Sequence, residues 1–274
     1  MHVRISAGRI MNARHTCVLS AMLSVVLSLS AGVPLVLTAA HAAHRAAEPI
    51  PDITDSIARL ADLALTVHVN NYDPKELEKI GKDFARSYAL RTLTLLFKQP
   101  DKMRLDGKSS VLGEAMLIQN GAIRYYSVPK LNLHNREDLK NSPSRRQSLL
   151  EYGGIVTPST LAFMQAHYVQ HDELEGVDTR VFDLTYKGTT AASSHFRVWI
   201  DSKTHVTLKR AWYDSEGKLK ATFFYADPHE VSPGLWLPSH IEVKNAEGVT
   251  AATTTLEDPQ VNQGLNDDLF NVTP

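Results

Sequence analysis

Between Leu93 and Val128, apolar and polar residues alternate at period two, and turn residues interrupt the run at short intervals. Leu93, Leu95 and Phe97 alternate with Thr92, Thr94 and Lys98; after Gln99-Pro100-Asp101, Met103 and Leu105 alternate with Lys102, Arg104 and Asp106. Met116 and Ile118 then lead to Asn120-Gly121, with Ile123 and Tyr125 beyond it. Successive side chains of a strand point to opposite faces, so these segments bury one face and wet the other. Connections this short make the neighbours antiparallel, and Asn-Gly supplies the positive φ that a tight hairpin needs. The region predicts an antiparallel meander.

The same pattern returns after Asp172. Val181, Leu184 and Tyr186 form one strand candidate, and Phe196, Val198 and Ile200 alternate with His195, Arg197, Trp199 and Asp201. Val206, Leu208 and Trp212 follow, then Ala221–Tyr225, Trp236–Val243 and Ala251–Leu256. Helical signals are fewer. Asp52 is placed to cap a helix through Ile57, Leu60, Ala61, Leu63 and Ala64, and Asp73-Pro74-Lys75-Glu76 opens another through Leu77, Ile80, Phe84 and Tyr88. Ser142-Pro143 and Thr157-Pro158 predict helices over Ser144–Tyr152 and Ser159–Tyr168, the latter with Leu161, Phe163 and Met164 apolar. Helices at these places beside about ten strands define an α+β class.

The N-terminus points to export. Arg4, Arg9 and Arg14 precede an uncharged run from Thr16 to Ala40, and Ala40-His41-Ala42 fits a cleavage site. The run is nearly long enough to span a bilayer, but Gly32, Pro34 and the small-residue exit favour cleavage near Ala42 over an anchor. Translation starts at Met1 or at Met11, the latter leaving a shorter leader. The single cysteine, Cys17, precedes the apolar run, so the exported domain carries neither a disulfide nor a lipidated cysteine. Residues 43–274 read as one domain, with no internal repeat or linker. Removing three arginines from 29 basic residues leaves 26 against 30 acidic ones, a net charge of −4 that offers no general attraction to nucleic acid or to anionic lipid.

Candidate chemistry is sparse. His167 and His171 stand four apart beside Asp172 and Glu173, yet without the intervening glutamate of a zinc-protease helix they read as surface residues. His134, Glu137 and Asp138 read as a polar loop, and Arg145-Arg146 as a solvated helix face that could also meet phosphate head groups. No nucleophile elbow, Walker loop or dinucleotide fingerprint occurs, so no catalytic residue, metal or cofactor is assigned.

Several segments together resemble the LolA-like superfamily of periplasmic lipoprotein carriers and outer-membrane lipoprotein-sorting proteins. They are Phe97-Lys98-Gln99-Pro100 with Met103-Arg104-Leu105, Asn120-Gly121 with its aromatic strand to Pro129, the run Pro233 to Pro238, and Asp268-Leu269-Phe270. The likeness spans Ile53 to Val272 and implies an unclosed β half-barrel whose concave apolar face is covered by helices, with a cavity for acyl chains between them. Where the carriers place an arginine before the strand-ending proline, this chain has Gln99.

That resemblance implies a periplasmic, monomeric, non-catalytic carrier of lipids or lipidated proteins, with a membrane partner for delivery. Its cavity wall would comprise Leu93, Leu95 and Phe97, then Met103 and Leu105, then Met116, Ile118, Ile123 and Tyr125. Phe196, Val198 and Ile200 would join them, under a lid carrying Leu161, Phe163 and Met164. The same residues would serve equally in a closed core. Two rival readings are an envelope-stress regulator that binds a protein partner on the same fold, and an exported hydrolase.

Overall fold

Strand β1 (Asp62–Tyr72) replaces most of the helix expected after Asp52. Only a single 3-10 turn, Ile53–Ser56, forms there. Leu60, Leu63 and Ala64 fit a helical stripe, but Leu63, Leu65, Val67 and Val69 also alternate, and β-branched residues pack better on a pleated surface. Tertiary pairing decides the matter, because β1 bonds to strands on both sides.

The computed structural model describes residues 49–56, 59–109, 113–142, 146, 153–188 and 194–272. The leader with its exit at Ala42, Ile57, the helix expected over Ser144–Tyr152 and Arg145 lie outside the described residues.

After β1 come helices α1 (Pro74–Ile80) and α2 (Lys82–Ser87). Strands β2 (Thr92–Lys98), β3 (Lys102–Ser109), β4 (Gly113–Asn120), β5 (Ile123–Val128) and β6 (Leu133–Asp138) then run back and forth. Helix α3 (Pro158–Phe163) leads into β7 (Met164–Leu174), β8 (Val177–Tyr186), β9 (His195–Asp201), β10 (Thr207–Tyr213) and β11 (Leu219–Ala226). A small ribbon, β12 (His229–Ser232) with β13 (Leu235–Leu237), precedes β14 (His240–Asn245) and β15 (Thr250–Val261).

Thirteen strands form one antiparallel sheet in the order β6-β5-β4-β3-β2-β1-β15-β14-β11-β10-β9-β8-β7. The sheet is unclosed and fits a half-barrel, with β6 and β7 at its two edges. About ten strands were expected. The additional ones are β1, whose pattern mimics a helix, and β6 and β7, whose polar sequences suit an edge with one unpaired side. The segment His134–Asp138, read as a loop, is therefore the body of an edge strand.

The caps follow the sequence. Asp73 accepts hydrogen bonds from the N–H groups of Lys75 (2.8 Å) and Glu76 (3.3 Å), starting α1, but Gly81 in an extended conformation separates α1 from α2. Thr157 and Thr160 form a reciprocal cap that starts α3. That helix ends at Phe163 instead of continuing to Tyr168, because the next eleven residues pair with β8. Leu77 and Ile80 of α1 are fully buried in the main core with β1, β2, β11, β14 and β15. Lys79 anchors the same helix: its Nζ lies 2.8 Å from Glu247 and 2.9 Å from Glu76, and those bonds, Glu247 first, push its pKa up to about 12.

Candidate functional site

Pairing across antiparallel strands fixes which residues share a face. Leu95 faces Leu65 on one side and Leu105 on the other, and Leu105 faces Leu117. This inner face does not fill with side chains. It bounds a cavity of about 810 Å³ whose wall is formed by β1 to β5, by Trp212, Phe223, Ile241 and Leu256 from the other half of the sheet, and by α2. From α2 and the turn after it come Phe84, Tyr88 and Leu90; Phe84 meets the rings of Trp212 and Phe223 edge-on, with centroids 6.2 and 6.0 Å away.

Two local features keep the space open and define its polarity. Gly107 lies on the inner face between Leu90 and Leu93, and a Cβ there would stand 2.6 Å from Leu93 Cδ2. Near the β4–β5 end the apolar wall carries one tethered cation: Arg124 donates from Nε (3.2 Å) and Nη2 (2.8 Å) to Gln119 Oε1. Gln119 Nε2 in turn donates to the carbonyl of Arg146 at 3.1 Å. Asp83 and Arg86, ion-paired at 3.0 Å, bring further charge from α2.

Of the residues expected to line a cavity, Leu93, Leu95, Met103, Leu105 and Met116 border this space. Phe97 is buried in the main core, 2 % exposed, and together with Met103 borders a second, smaller hollow of about 190 Å³ against Ala162 and Phe163 of α3. The register turns Met116, Ile118 and Tyr125 to the outer face, opposite Asp106, Arg104 and Arg136, although Met116 still borders the space beside Leu117. The cause is parity: β3 and β4 pair so that Leu105 meets Leu117, not Met116 or Ile118. Ile123 pairs with Asn120 beside the turn Gly121-Ala122, one residue later than Asn120-Gly121 suggested, and does not border the cavity.

Phe196, Val198 and Ile200 form a separate cluster with Phe182 and Leu184, and the expected lid residues Leu161, Phe163 and Met164 pack against that cluster, away from the large space. The wall residues that sequence reasoning missed, chiefly Leu65, Val67, Tyr126, Trp212 and Phe223, sit on β1, whose pattern reads as a helix, and on β5, β10 and β11, where alternation does not say which parity faces inward.

Other candidates separate. His167 and His171 lie on strand β7, where a spacing of four residues spans roughly 13 Å, too far to share one ion. No cluster of three or more metal-binding side chains occurs among the described residues. The Arg146 guanidinium is not on a solvated helix face: it donates to the carbonyls of Leu139 (3.0 Å) and Lys140 (3.2 Å).

A family model described as "-like: Uncharacterized protein" matches residues 109–273, more than half of the chain. No curated protein matches. Among solved structures, a DUF1329 family protein from Desulfovibrio piger is 13 % identical with a TM-score of 0.51, the alignment covering 79 % of this chain and 92 % of that one. A LolA superfamily protein from Nitrosomonas europaea is 14 % identical with a TM-score of 0.51, covering 79 % of this chain and 90 % of its own.

Proposed function

The chain belongs to the family described as uncharacterized protein-like and has the LolA-like fold, and on that premise we propose that it carries or binds lipids or lipidated proteins, sheltering acyl chains in the cavity between the sheet and α2. The observation that carries this reading is the cavity itself. Its volume of about 810 Å³ falls in the range of ligand sites, and its wall is apolar apart from a few charged groups. Each methylene moved from water into such a space contributes about 0.8 kcal/mol, so an acyl chain binds without polar recognition. Leu93, Leu95, Met103 and Leu105 act as wall residues together with Leu117, and α2 serves as the lid in place of α3.

The protein works as a non-catalytic monomer of one domain, exported by cleavage near Ala42 and resident in the periplasm, with a membrane as the source or destination of its cargo. The leader's arginines, apolar run and small-residue exit support export. No helix among the described residues is long and apolar enough to cross a membrane.

Native mass spectrometry of the protein purified from a periplasm tests the reading. The expected spectrum shows the mature chain with a co-purified adduct of lipid mass that a Leu95→Asp/Leu117→Asp variant lacks. A protein that is always empty, and that takes up no fatty acid on addition, would refute it.

A further inference from the structure

A row of paired residues crosses the sheet from β1 to β6. Leu65 faces Leu95, Leu95 faces Leu105, and Leu105 faces Leu117. Leu117 then faces Tyr126, and Tyr126 faces Asn135 on the edge strand. Paired residues share a face, and all of these except Asn135 border the cavity. The wall therefore presents four leucines in line and then a phenol. From Leu65 to Tyr126 the row covers four strand spacings of about 4.8 Å, or roughly 19 Å.

The phenol ends the row with a hydrogen-bond donor. Asn135 Nδ2 lies 3.0 Å from Tyr126 Oη and 3.5 Å from Glu137 Oε1. A carboxylate only accepts, so the end of the Asn135 amide that faces it is the NH2 group. The Tyr126 oxygen consequently accepts from Asn135, and its own hydrogen needs another partner. No acceptor for that hydrogen occurs among the described residues. The Asn135 bond takes the side of the oxygen toward β6, while the Tyr126 ring borders the cavity.

These two features together select a ligand chemistry. Plain hydrocarbon suits the leucines but strips water from the hydroxyl without replacing its bond, which is costly. A sugar or a polar peptide would lose its own hydration against the leucines. A straight apolar tail that ends in one hydrogen-bond acceptor satisfies both. We propose that Tyr126 recognises the carbonyl of an acyl group, its hydroxyl donating to the carbonyl oxygen while the tail lies along Leu117, Leu105, Leu95 and Leu65. The part of the cargo beyond the carbonyl then leaves the cavity over β6. This rests on the reading of the cavity as an acyl-chain site, and it adds that the cargo is a carbonyl-bearing chain, esterified or free.

Wild type and Tyr126→Phe are titrated with methyl dodecanoate, dodecanoic acid and tetradecane, chains of similar length, by displacement of the apolar fluorophore N-phenylnaphthylamine. Loss of one hydrogen bond should lower the preference for a carbonyl compound over tetradecane about fivefold. Infrared spectra of carbonyl-labelled ester and acid provide a direct reading of the contact. Bound to wild type, the carbonyl band should lie below its position in hexane, and in Tyr126→Phe it should return toward that position. A fall in preference for either compound supports the contact, the ester assigning it to an esterified chain and the acid alone to a free fatty acid. An unchanged preference for both, or a carbonyl band that moves for neither, would overturn it, while uptake of tetradecane still upholds the cavity reading. Wild type that takes up none of the three would overturn the cavity reading and this inference with it.

Discussion

Phe97 and Leu117 stand on the same inner face with one strand between theirs, yet truncating them should have different consequences. Phe97 is almost wholly buried in the main core, so Phe97→Ala should leave a void its neighbours cannot fill, at a cost of about 3–5 kcal/mol. Leu117 is half-buried against a space that is already open, so Leu117→Ala should cost about 1 kcal/mol, below the roughly 2–5 kcal/mol of a leucine truncated in a closed core. Urea unfolding midpoints at an unchanged slope measure both, and equal losses would mean that the wall is ordinary core. The inward set on β2 and β3 was legible in the sequence because alternation alone assigns Leu93, Leu95, Phe97, Met103 and Leu105 to one face. Ile118 and Tyr125 were not, because parity resets at each hairpin and alternation within β4 and β5 does not say which set faces inward. Both are nevertheless buried, and a C-terminal turn that no periodicity announces packs on β3 and β4.

That turn, Asp267–Phe270, illustrates how elements outside the alternating pattern are held. Asp62 anchors the chain leading to it, accepting hydrogen bonds from the N–H groups of Gln263 (2.7 Å) and Gly264 (2.8 Å). Arg104 Nη1 donates to the Leu269 carbonyl at 3.2 Å, and Phe270 is fully buried. Asp267 adds ion pairs to Lys98 (2.7 Å) and Lys102 (3.0 Å), and these lysines, Lys98 first, hold its carboxyl below the usual range. A carboxylate depressed in the folded state stabilises above its unfolded pKa and ceases to do so as the pH falls through the folded value. Between about pH 5 and pH 3 the amides of Leu269 and Phe270 should therefore exchange faster relative to those of β1. Asp267→Asn should abolish most of that pH step, and high salt should weaken it, because the pair is exposed. An unchanged profile in Asp267→Asn would assign the step to another group. The helix starts at Asp73-Pro74 and Thr157-Pro158 were legible because caps are local chemistry. Their ends were not: Gly81 divides one helix and pairing with β8 truncates the other, and only the first has a residue signal.

Across the whole molecule, β1 and β15 join two meanders, so that strands nearly two hundred residues apart lie side by side at the centre of the sheet. The edges β6 and β7, by contrast, follow one another in sequence yet occupy opposite ends of the sheet. The antiparallel character of the sheet was legible in the sequence, but β1, β6 and β7 were not read as strands and this junction was not seen, because pairing between segments so far apart leaves no local trace. It matters to function, since the cavity takes Leu65, Leu95 and Leu117 from one meander and Trp212, Phe223 and Ile241 from the other. A ligand there bridges both halves and α2, which is short and contributes Phe84 to the wall but has no fully buried side chain of its own. In the empty protein, α2 amides should thus exchange faster than those of β1 and β15, which are paired on both sides. Adding a long-chain fatty acid should slow exchange in Lys82–Ser87 and leave Phe196–Ile200, in the separate cluster, nearly unchanged. Global stability should rise by mass action, about 2.7 kcal/mol at a hundredfold excess over the dissociation constant. If α2 is already as protected as β1, and fatty acid alters neither its exchange nor the melt, then α2 is a fixed part of the core and the space behind it is not a binding site.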